Sequence, residues 1–363
     1  MKLGFIGLGL IGGSIAKAAR KKNPEAEIIA FDRNMQSLKL ALASGTISHI
    51  AAQLDESFSQ CDFLFLCTPV HSNAEYLPCL KKYLAQTTVL TDVGSVKGDM
   101  HEAIQTAGLS RWFVGGHPMA GSEKSGFANA SDHLLENAYY ILTPTEDTPD
   151  EKTKLLYQFV ESLDALPLIL TPQQHDYVTG AISHLPHIIA ASLVNFVKDS
   201  DSADGIMKLI AAGGFKDITR IASSSPDMWE QILIANHTNI SALLSKYMDA
   251  LGQIKSQIDH LNSPAIHQFF VSSSDYRNSF TDTPSGPIKK VYAVYCDIID
   301  ESGAIATIAT ILATNAISIK NIGIVHNREF EDGALRIEFE TKDEADKAAD
   351  LLEKHRYILY KRT

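Results

Sequence analysis

Residues 115–126, GGHPMAGSEKSG, bring together side chains that can move protons or bind polar groups. They include the imidazole of His117, the carboxylate of Glu123 and the hydroxyls of Ser122 and Ser125, spaced among glycines. An enzyme that oxidises an alcohol needs an acceptor for the hydroxyl proton, and a neutral imidazole with a pKa of about 6.5 suits that role. The stretch therefore predicts a general base at His117. The alternative is a histidine whose hydrogen bonds are satisfied by the loop backbone.

Ser95, in DVGSVKG, offers a hydroxyl after another apolar run. It is placed to bridge a substrate oxygen, the imidazole of His117 and a nicotinamide ring. It also fits the N-cap of a helix over VKGDMHEAI, because a serine side chain accepts hydrogen bonds from the first free amides of a helix. The two roles are compatible, and the sequence leaves both open.

Two histidines follow in ISHLPHII. His184 and His187 are three residues apart, so a helix starting at Ser183 would present both on one face, with Pro186 tolerated in its first turn. No acidic or cysteine residue is spaced to complete a metal site with them. We therefore expect no metal.

A cation pair lies in AAGGFKDITRIA, within an otherwise acidic chain. Lys216 and Arg220 are four residues apart, and the guanidinium of Arg220 offers the bidentate fork that carboxylates fit. Arg220 is therefore a candidate for binding an anionic substrate. Lys216 fits equally well a surface ion pair with Asp217.

Gly7, Gly9 and Gly12 form the pattern GxGxxG, after the first apolar run and at the start of a helical segment. In dinucleotide-binding βαβ units the first glycine permits a tight turn, the second lets a pyrophosphate approach the backbone, and the third lets helix and strand pack closely. The helix amides around Leu10 and Ile11 would then face the phosphates. This pattern predicts a dinucleotide site.

The cofactor prediction extends to the ends of two further apolar runs. Asp32 follows the second run at the place where a carboxylate accepts hydrogen bonds from the adenosine ribose, which favours NAD over NADP. Arg33 could turn toward a 2′-phosphate and keeps NADP open. Thr68 and Pro69 end DFLFLCTPV and would reach the same crevice, because ligands bind beyond the carboxyl ends of parallel strands.

The elements that must position these residues change character near residue 171. Seven short apolar runs up to LPLILTP alternate with amphipathic segments, which is typical of a parallel sheet covered by helices on both faces. We predict an α/β Rossmann domain over 1–170 and an all-α substrate and dimerisation domain over 171–285. Residues 225–261 read as one long helix with Ser225 as N-cap and Pro226 at its first position. Its apolar face would lie against a second copy or against its own domain.

The last segment, 288–363, follows a polar linker and has the order β-α-β-β-α-β. This order is typical of a small ferredoxin-like α+β domain.

Composition excludes several classes of protein. Of the 363 residues 45% are hydrophobic and 21% charged, and the net charge is −11, so nucleic acid and anionic membrane surfaces are not expected partners. Four cysteines without CxxC spacing suggest reduced thiols, and we see no run of 18 apolar residues and no signal peptide. The sequence predicts a cytoplasmic protein.

The motifs named above, together with HDYVTGAISHLPH and GGFKDITRIASSSPDMW, occur in an order that resembles the prephenate dehydrogenase family over about the first 285 residues. The last segment resembles an ACT domain, an amino-acid-binding regulatory module, through DESGAIATIA. The resemblance implies NAD-dependent oxidative decarboxylation of prephenate to 4-hydroxyphenylpyruvate in tyrosine biosynthesis. It also implies a homodimer through the helical domain, and through the ACT domain if that module pairs, with tyrosine as the expected effector; phenylalanine or no ligand are the alternatives.

By motif match, His117 accepts the hydrogen bond of the C4 hydroxyl of prephenate and Ser95 helps to orient it. Arg220 binds the ring carboxylate, His187 and His184 line the pocket, and Glu123 shapes its entrance.

Three other functions remain to be weighed. Arogenate dehydrogenase differs only in an amine on the substrate side chain. A β-hydroxyacid dehydrogenase would rely on a lysine where this chain offers histidines and Arg220. A non-catalytic sensor of NAD and an amino acid would not need His117, Ser95 and Arg220 together.

Overall fold

The computed structural model describes residues 1–121, 124–280, 292–298, 303–325 and 334–360. The chain forms two compact units, Met1–Ile266 and His267–Thr363. The first unit therefore contains the whole predicted α/β domain and most of the predicted helical domain. The predicted junction between 285 and 288 lies outside the described residues.

The first sheet has five parallel strands in the order β3-β2-β1-β4-β5. They are β1 (Lys2–Ile6), β2 (Glu27–Phe31), β3 (His49–Ile50), β4 (Phe63–Leu66) and β5 (Val89–Asp92). Every residue of β4 and β5 is buried, which explains why their sequences are apolar without alternation. The prediction of a parallel sheet is confirmed. The two-residue strand β3 was not predicted, because so short a run has no pattern.

Helices cover both faces of this sheet and bury two separate apolar cores. They are α1 (Leu10–Lys22), α2 (Met35–Ala43), α3 (Val70–Leu80), α4 (Gly98–Thr106) and α5 (Asp150–Ser162). The strand order reverses between β1 and β4, and this reversal opens a crevice at their carboxyl ends. The Rossmann-like fold predicted from the sequence is therefore present.

A second sheet continues from the first but is not purely parallel. It consists of β6 (Val114–Pro118), β7 (Tyr139–Pro144) and β8 (Leu166–Ile169). A parallel bridge from Leu90 to Phe113 aligns the start of β6 with β5, whereas β6 and β7 are antiparallel. No helix crosses over between them, only a 3₁₀ turn at Phe127–Asn129 among the described residues. A strand that returns without a crossover pairs antiparallel, and this corrects the expectation of a wholly parallel arrangement.

The helical region begins with α6 (Pro172–Thr179), a π turn (Gly180–His184) and α7 (Leu185–Ser200), which follow one another without a break. The predicted helix start at Ser183 is therefore wrong. Pro186 lies inside a continuous helix, directly after the π turn. A proline in a helix interior lacks a donor and crowds the carbonyl four residues earlier, and the wider π turn relieves both effects.

The remaining helices are α8 (Ile206–Ile210), α9 (Gly213–Thr219), α10 (Pro226–Ala235), α11 (His237–Asp259) and α12 (Ser263–Ser279), with a 3₁₀ turn at Arg220–Ser223. Ser225 caps α10 by accepting a hydrogen bond from the Met228 amide, as predicted. The predicted single helix over 225–261 is wrong, because it breaks at Asn236. The side chain of Asn236 is 3% exposed and makes hydrogen bonds to the candidate site.

The second unit has the predicted element order. It contains β9 (Tyr292–Asp297), α13 (Ala304–Thr314), β10 (Asn321–Val325), β11 (Ala334–Phe339), α14 (Lys342–Lys354) and β12 (Leu359–Tyr360). The strands form an antiparallel sheet in the order β10-β11-β9-β12, which is the ferredoxin-like arrangement. Apolar residues of the sheet and both helices share one core.

One helix among the described residues, Pro172–Ser200, has the length and apolar composition that would suffice to cross a membrane. The sequence showed no continuous apolar run of that length, because polar residues interrupt it. Within this chain α7 buries only Ala190. Most of its other apolar side chains are only half-buried, and Phe196 is 66% exposed.

Candidate active site

The glycine loop after β1 has the geometry that a dinucleotide requires. Gly7 has a φ of +91°, and a Cβ on it would lie 2.7 Å from the carbonyl carbon of Cys67. A Cβ on Gly12 would lie 2.8 Å from the carbonyl oxygen of Gly7, so only glycine lets α1 pack against the loop. A Cβ on Gly9 would meet nothing within 4 Å, so the loop backbone is open where a pyrophosphate would approach. Helix α1 starts here at Leu10, followed by Ile11.

Asp32, directly after β2, holds this loop in place. Its carboxylate accepts hydrogen bonds from the Leu8 amide at 2.6 Å and from the Asn34 amide at 2.6 Å. The carboxylate therefore stands beside the glycine loop, where an adenosine ribose would meet it.

Arg33 turns away from Asp32. Its guanidinium donates to Glu75 at 3.0 Å and lies 5.9 Å from the centre of the Tyr76 ring.

Thr68 lies just beyond the carboxyl end of β4 and beside Gly7, where a Cβ on Gly7 would lie 2.8 Å from the Thr68 methyl group. Its amide and its hydroxyl donate to the side-chain oxygen of Asn73 at 3.2 and 2.5 Å, and Pro69 is the N-cap of α3. The glycine cradle, the Asp32 carboxylate and the Thr68 turn are the features that NAD needs at such a crevice. The residues present therefore fit the cofactor.

A buried ion pair supports the strand that carries His117. Lys97 and Asp92 are both 0% exposed, and the ammonium donates to the Asp92 carboxylate at 2.5 Å and to the Gly116 carbonyl at 2.7 Å. The same carboxylate accepts from the Gly116 amide at 3.1 Å. Burial lowers the pKa of Lys97, and Asp92 acts in the opposite direction. This pair joins the end of β5 to the backbone one residue before His117.

His117 is hydrogen-bonded to a second histidine, which in turn contacts a carboxylate. Both of these residues lie on α6. Its Nδ1 lies 2.7 Å from Nε2 of His175, and Nδ1 of His175 lies 2.7 Å from the carboxylate of Asp176. His175 is 0% exposed, whereas His117 is half-buried. Burial lowers the pKa of His117 well below its ordinary value, and His175, Lys97 and His184 lower it further. His117 is therefore neutral near neutral pH and able to accept a proton.

A further set of contacts leads from Asp176 through Asn236 to His184. Asn236 donates to the Asp176 carbonyl at 2.8 Å and lies 3.1 Å from Nδ1 of His184. An amide NH₂ only donates, so Nδ1 of His184 accepts and its Nε2 carries the proton. Burial lowers the pKa of His184 to about 4.

Trp229, on α10, joins the two histidines of the π turn and α7. Its ring contacts His184 edge-on at 5.9 Å and stacks on His187 at 3.8 Å. Burial lowers the pKa of His187; the Ser183 carbonyl opposes this, and the positive charge of Arg220 lowers it further. The residues predicted from 184 to 220 thus lie in one neighbourhood.

The structure rules out one of the two roles considered for Ser95, the N-cap of α4, and the catalytic role of Ser95 stays a prediction. Lys97, and not Ser95, is the N-cap of α4, and its amide and that of Gly98 donate to the Asp176 carboxylate at 2.8 and 2.7 Å. Ser95 is half-buried, two residues before that cap. Glu123 lies outside the described residues.

Four residues of the network were not assigned from the sequence: His175, Asp176, Asn236 and Lys97. An adjacent His-Asp pair near the start of a helix was a visible signal for the first two. The other two had none, since they matter only through contacts far along the chain. Within the described ranges, no group of three His, Cys, Asp or Glu side chains is placed to hold a metal ion.

A doubly wound fold with a glycine cradle, a ribose-side carboxylate and a neutral imidazole at the crevice edge defines a nicotinamide-dinucleotide-linked dehydrogenase. Residues 15–169 match the family model described as prephenate dehydrogenase, nucleotide-binding domain. Residues 171–271 match that described as prephenate dehydrogenase, dimerization domain. The chain belongs to the prephenate dehydrogenase family.

Individual relatives agree. Prephenate dehydrogenase of Bacillus subtilis is 38% identical over 349 residues, covering 96% of this chain and 94% of the relative. Prephenate dehydrogenase from Aquifex aeolicus, solved with hydroxyphenyl propionate and NAD⁺, superposes with a TM-score of 0.73 at 33% identity, covering 77% of this chain and 98% of that one. Arogenate dehydrogenase from Synechocystis superposes with a TM-score of 0.70 at 29% identity, covering 77% and 100%.

Proposed function

We infer that this chain catalyses the NAD-linked oxidative decarboxylation of prephenate to 4-hydroxyphenylpyruvate. The observation that carries this function is the position of His117 in a chain of the prephenate dehydrogenase family. It lies on β6 beside the carboxyl end of β5, with Nδ1 bonded to His175, which leaves Nε2 for the substrate. Prephenate presents a ring hydroxyl at C4, which is the group that such a base serves.

The chemistry asked of the protein is modest. Bound NAD supplies the hydride acceptor. His117 takes the proton of the C4 hydroxyl as hydride leaves C4, and Ser95 orients that hydroxyl. Loss of CO₂ from the opposite ring carbon makes the ring aromatic, and His117 returns the proton to the ring oxygen. No net proton is released, so the base is regenerated within the step.

The opposite end of the ring carries the carboxylate, and Arg220 is the proposed anchor for it. A guanidinium matches a carboxylate with two parallel hydrogen bonds. His187, beside Arg220, and His184 would line the same pocket, and Glu123 would shape its entrance.

The cofactor is NAD, and the structure indicates how NADP would be disfavoured. Asp32 places a carboxylate where a 2′-phosphate would have to lie, and Arg33 is engaged by Glu75. Like charges there oppose each other.

The helical region is proposed to form a homodimer, as the name of its family model implies. Large apolar side chains of this region are exposed in the single chain, among them Phe196 at 66% and Leu209 at 81%. A second copy covering this face would also account for the apolar composition of Pro172–Ser200.

Residues 288–363, which lie within the second unit, are proposed to form an ACT domain that binds tyrosine. In this proposal the ACT domain follows an α/β domain over 1–170 and a helical domain over 171–285. Its ferredoxin-like sheet and the glycine at 303, which has a φ of +96° before α13, support this.

All four cysteines are free thiols, in keeping with a cytoplasmic location.

Two measurements test these proposals. Formation of NADH or NADPH is measured with prephenate and with arogenate, with NAD and with NADP, in the presence and absence of tyrosine, and the mass of the protein is determined in solution. We expect turnover of prephenate with NAD that tyrosine inhibits, and a dimer mass in solution. Preference for arogenate would assign the function of the Synechocystis relative instead. Binding of NAD without turnover of either substrate would make the chain a sensor.

A further inference from the structure

We propose that Asp176 and His175 are positioning residues that set the tautomer of His117, so that its Nε2 meets the substrate as the proton acceptor. This rests on the proposed function for its effect on turnover. The hydrogen bonds that carry it are present in the protein independently of any substrate.

The chain of hydrogen bonds begins at a carboxylate that must be ionised. Asp176 is 5% exposed, and its oxygens accept from the Lys97 amide at 2.8 Å, the Gly98 amide at 2.7 Å and the His175 ring at 2.7 Å. Burial alone would raise the pKa of Asp176, but these hydrogen bonds outweigh it and the pKa is lowered. A carboxylate bonded to three donors at the start of α4 has only acceptor atoms to offer.

The tautomers of both histidines follow from that carboxylate. Because Asp176 accepts, Nδ1 of His175 carries a proton. In a neutral ring Nε2 of His175 is then an acceptor, so Nδ1 of His117 must be the donor in their 2.7 Å contact. Nε2 of His117 is left with a lone pair. The carboxylate thus decides which nitrogen of a ring two hydrogen bonds away can act as a base.

The surroundings of His117 oppose a positive charge on its ring, and one carboxylate reaches the ring through hydrogen bonds. His175 and His184, from α6 and the π turn, and Lys97, before α4, all disfavour a positive His117. Lys97 is already paired with Asp92, and β7 places the apolar Ile141 opposite His117. Asp176, acting through His175, is the carboxylate joined to His117 by these bonds. Since the proton returns to the ring oxygen of the product, this path needs no outlet for protons.

The first test is Asp176→Leu, which has a similar shape but no acceptor. The Asp176 oxygen that accepts from His175 also accepts from the Lys97 amide, so an asparagine could keep its own oxygen there, whereas leucine leaves a proton on Nδ1 of His175 without a partner. The proton of His175 should then move to Nε2 and that of His117 to its own Nε2. We expect kcat to fall by ~10²–10⁴-fold, while KM for prephenate and Kd for NAD change less than ~3-fold. Asp99→Leu, which removes a neighbouring carboxylate in the first turn of α4, is the matched control and is expected to keep kcat.

A direct readout separates positioning from a structural role. Nitrogen NMR of labelled histidine, without substrate, reports which ring nitrogen of His117 is protonated. We expect an unprotonated Nε2 in the wild-type protein and a protonated Nε2 in Asp176→Leu. An unchanged tautomer, or a kcat within ~3-fold of wild type, would overturn the proposal. The NMR result does not depend on turnover, so it stands apart from failure of the proposed function.

A second variant tests whether Asp176 matters only as a cap of α4. In His175→Gln the amide oxygen can still accept from His117, but the link to Asp176 is cut. We expect a smaller loss of kcat, and no further loss when Asp176→Leu is added. Full additivity of the two changes would mean that Asp176 acts only as a cap of α4, and would overturn the proposal.

Discussion

Helices α1 and α7 show how differently the two parts of the first unit are built. Seven of the 13 residues of α1 are buried, whereas only Ala190 is buried among the 16 residues of α7. The α/β part completes its own core within the chain. The helical part leaves large apolar side chains such as Phe196 and Leu209 exposed. The α/β part therefore needs no partner to complete its core, whereas the helical part presents the surface proposed for the second copy.

Five of the nine side chains that are buried in residues 171–280 are polar. They are His175, Asp176, Thr179, His184 and Asn236. His175 bonds to His117 on β6, and Asp176 bonds to the amides that start α4. The helical part thus contributes hydrogen-bonding groups to the α/β part, and its exposed apolar surface is the one proposed to meet the second copy.

The largest effect is expected at the contact between the two parts. His117→Asn removes the base but keeps a polar side chain, so kcat should fall by ~10²–10⁴-fold with little change in KM. Steady-state kinetics with prephenate check this. His133→Asn, at an exposed histidine paired with Glu136, is the control and should leave kcat unchanged. If His117→Asn kept a kcat close to that of the wild type, His117 would not be the general base.

Next in size is a test of the self-sufficient core. Lys97→Met leaves the Asp92 carboxylate buried without its partner, and breaking such a pair costs ~3–5 kcal/mol. Denaturant unfolding should show this loss of stability. Lys39→Met, at an exposed lysine of α2, should change the free energy of unfolding by less than ~0.5 kcal/mol. Equal stability of the two variants would contradict the role of the pair.

Arg220→Ala tests what the helical part adds to binding. Loss of a charge-assisted contact costs ~1.5–3 kcal/mol, so KM for prephenate should rise by ~10–150-fold with a smaller effect on kcat. Lys198→Ala, which removes an exposed cation of α7 beside Asp199, should leave KM unchanged. Equal, small effects of Arg220→Ala and His117→Asn would argue against both assignments.

Phe196→Asp tests the uncovered face. Burial of a large apolar side chain contributes ~1.5–3 kcal/mol. Replacing Phe196 with a charged residue should therefore shift the protein toward the monomer mass in sedimentation or light scattering. Leu40→Asp makes the same change on α2, where the side chain is 44% exposed in the self-sufficient part, and should leave the mass unchanged. If Phe196→Asp kept the same mass as Leu40→Asp, the exposed apolar face of α7 would not be the dimer interface.

The smallest effect is expected at the cofactor edge. Glu75→Gln should free Arg33 to reach a 2′-phosphate. An exposed ion pair is worth ~0–1 kcal/mol, so the ratio of Kd for NADP to Kd for NAD should fall by no more than ~5-fold. Titration of both dinucleotides measures this ratio. No gain in NADP binding would mean that Asp32 alone decides the preference.

Local patterns were sufficient to predict the glycine loop, the cap at Ser225 and every strand except β3, because each depends on residues close together in the chain. They failed for the long helix, which breaks at Asn236, and for the helix start at Ser183. Both errors have one cause. Asn236 and the π turn serve contacts with Asp176 and Trp229, which propensity and spacing do not report.

The sequence by itself determined the fold class and the dinucleotide site, since motif and periodicity carry that information, and it made His117 and Arg220 candidate site residues. Only the tertiary structure decided which nitrogen of His117 is the base. That choice depends on a carboxylate 59 positions further along the chain, brought within two hydrogen bonds of it by the packing of α6 against β6 and the start of α4. Protonation states are set by neighbours in space, and a linear pattern does not show which neighbours those are.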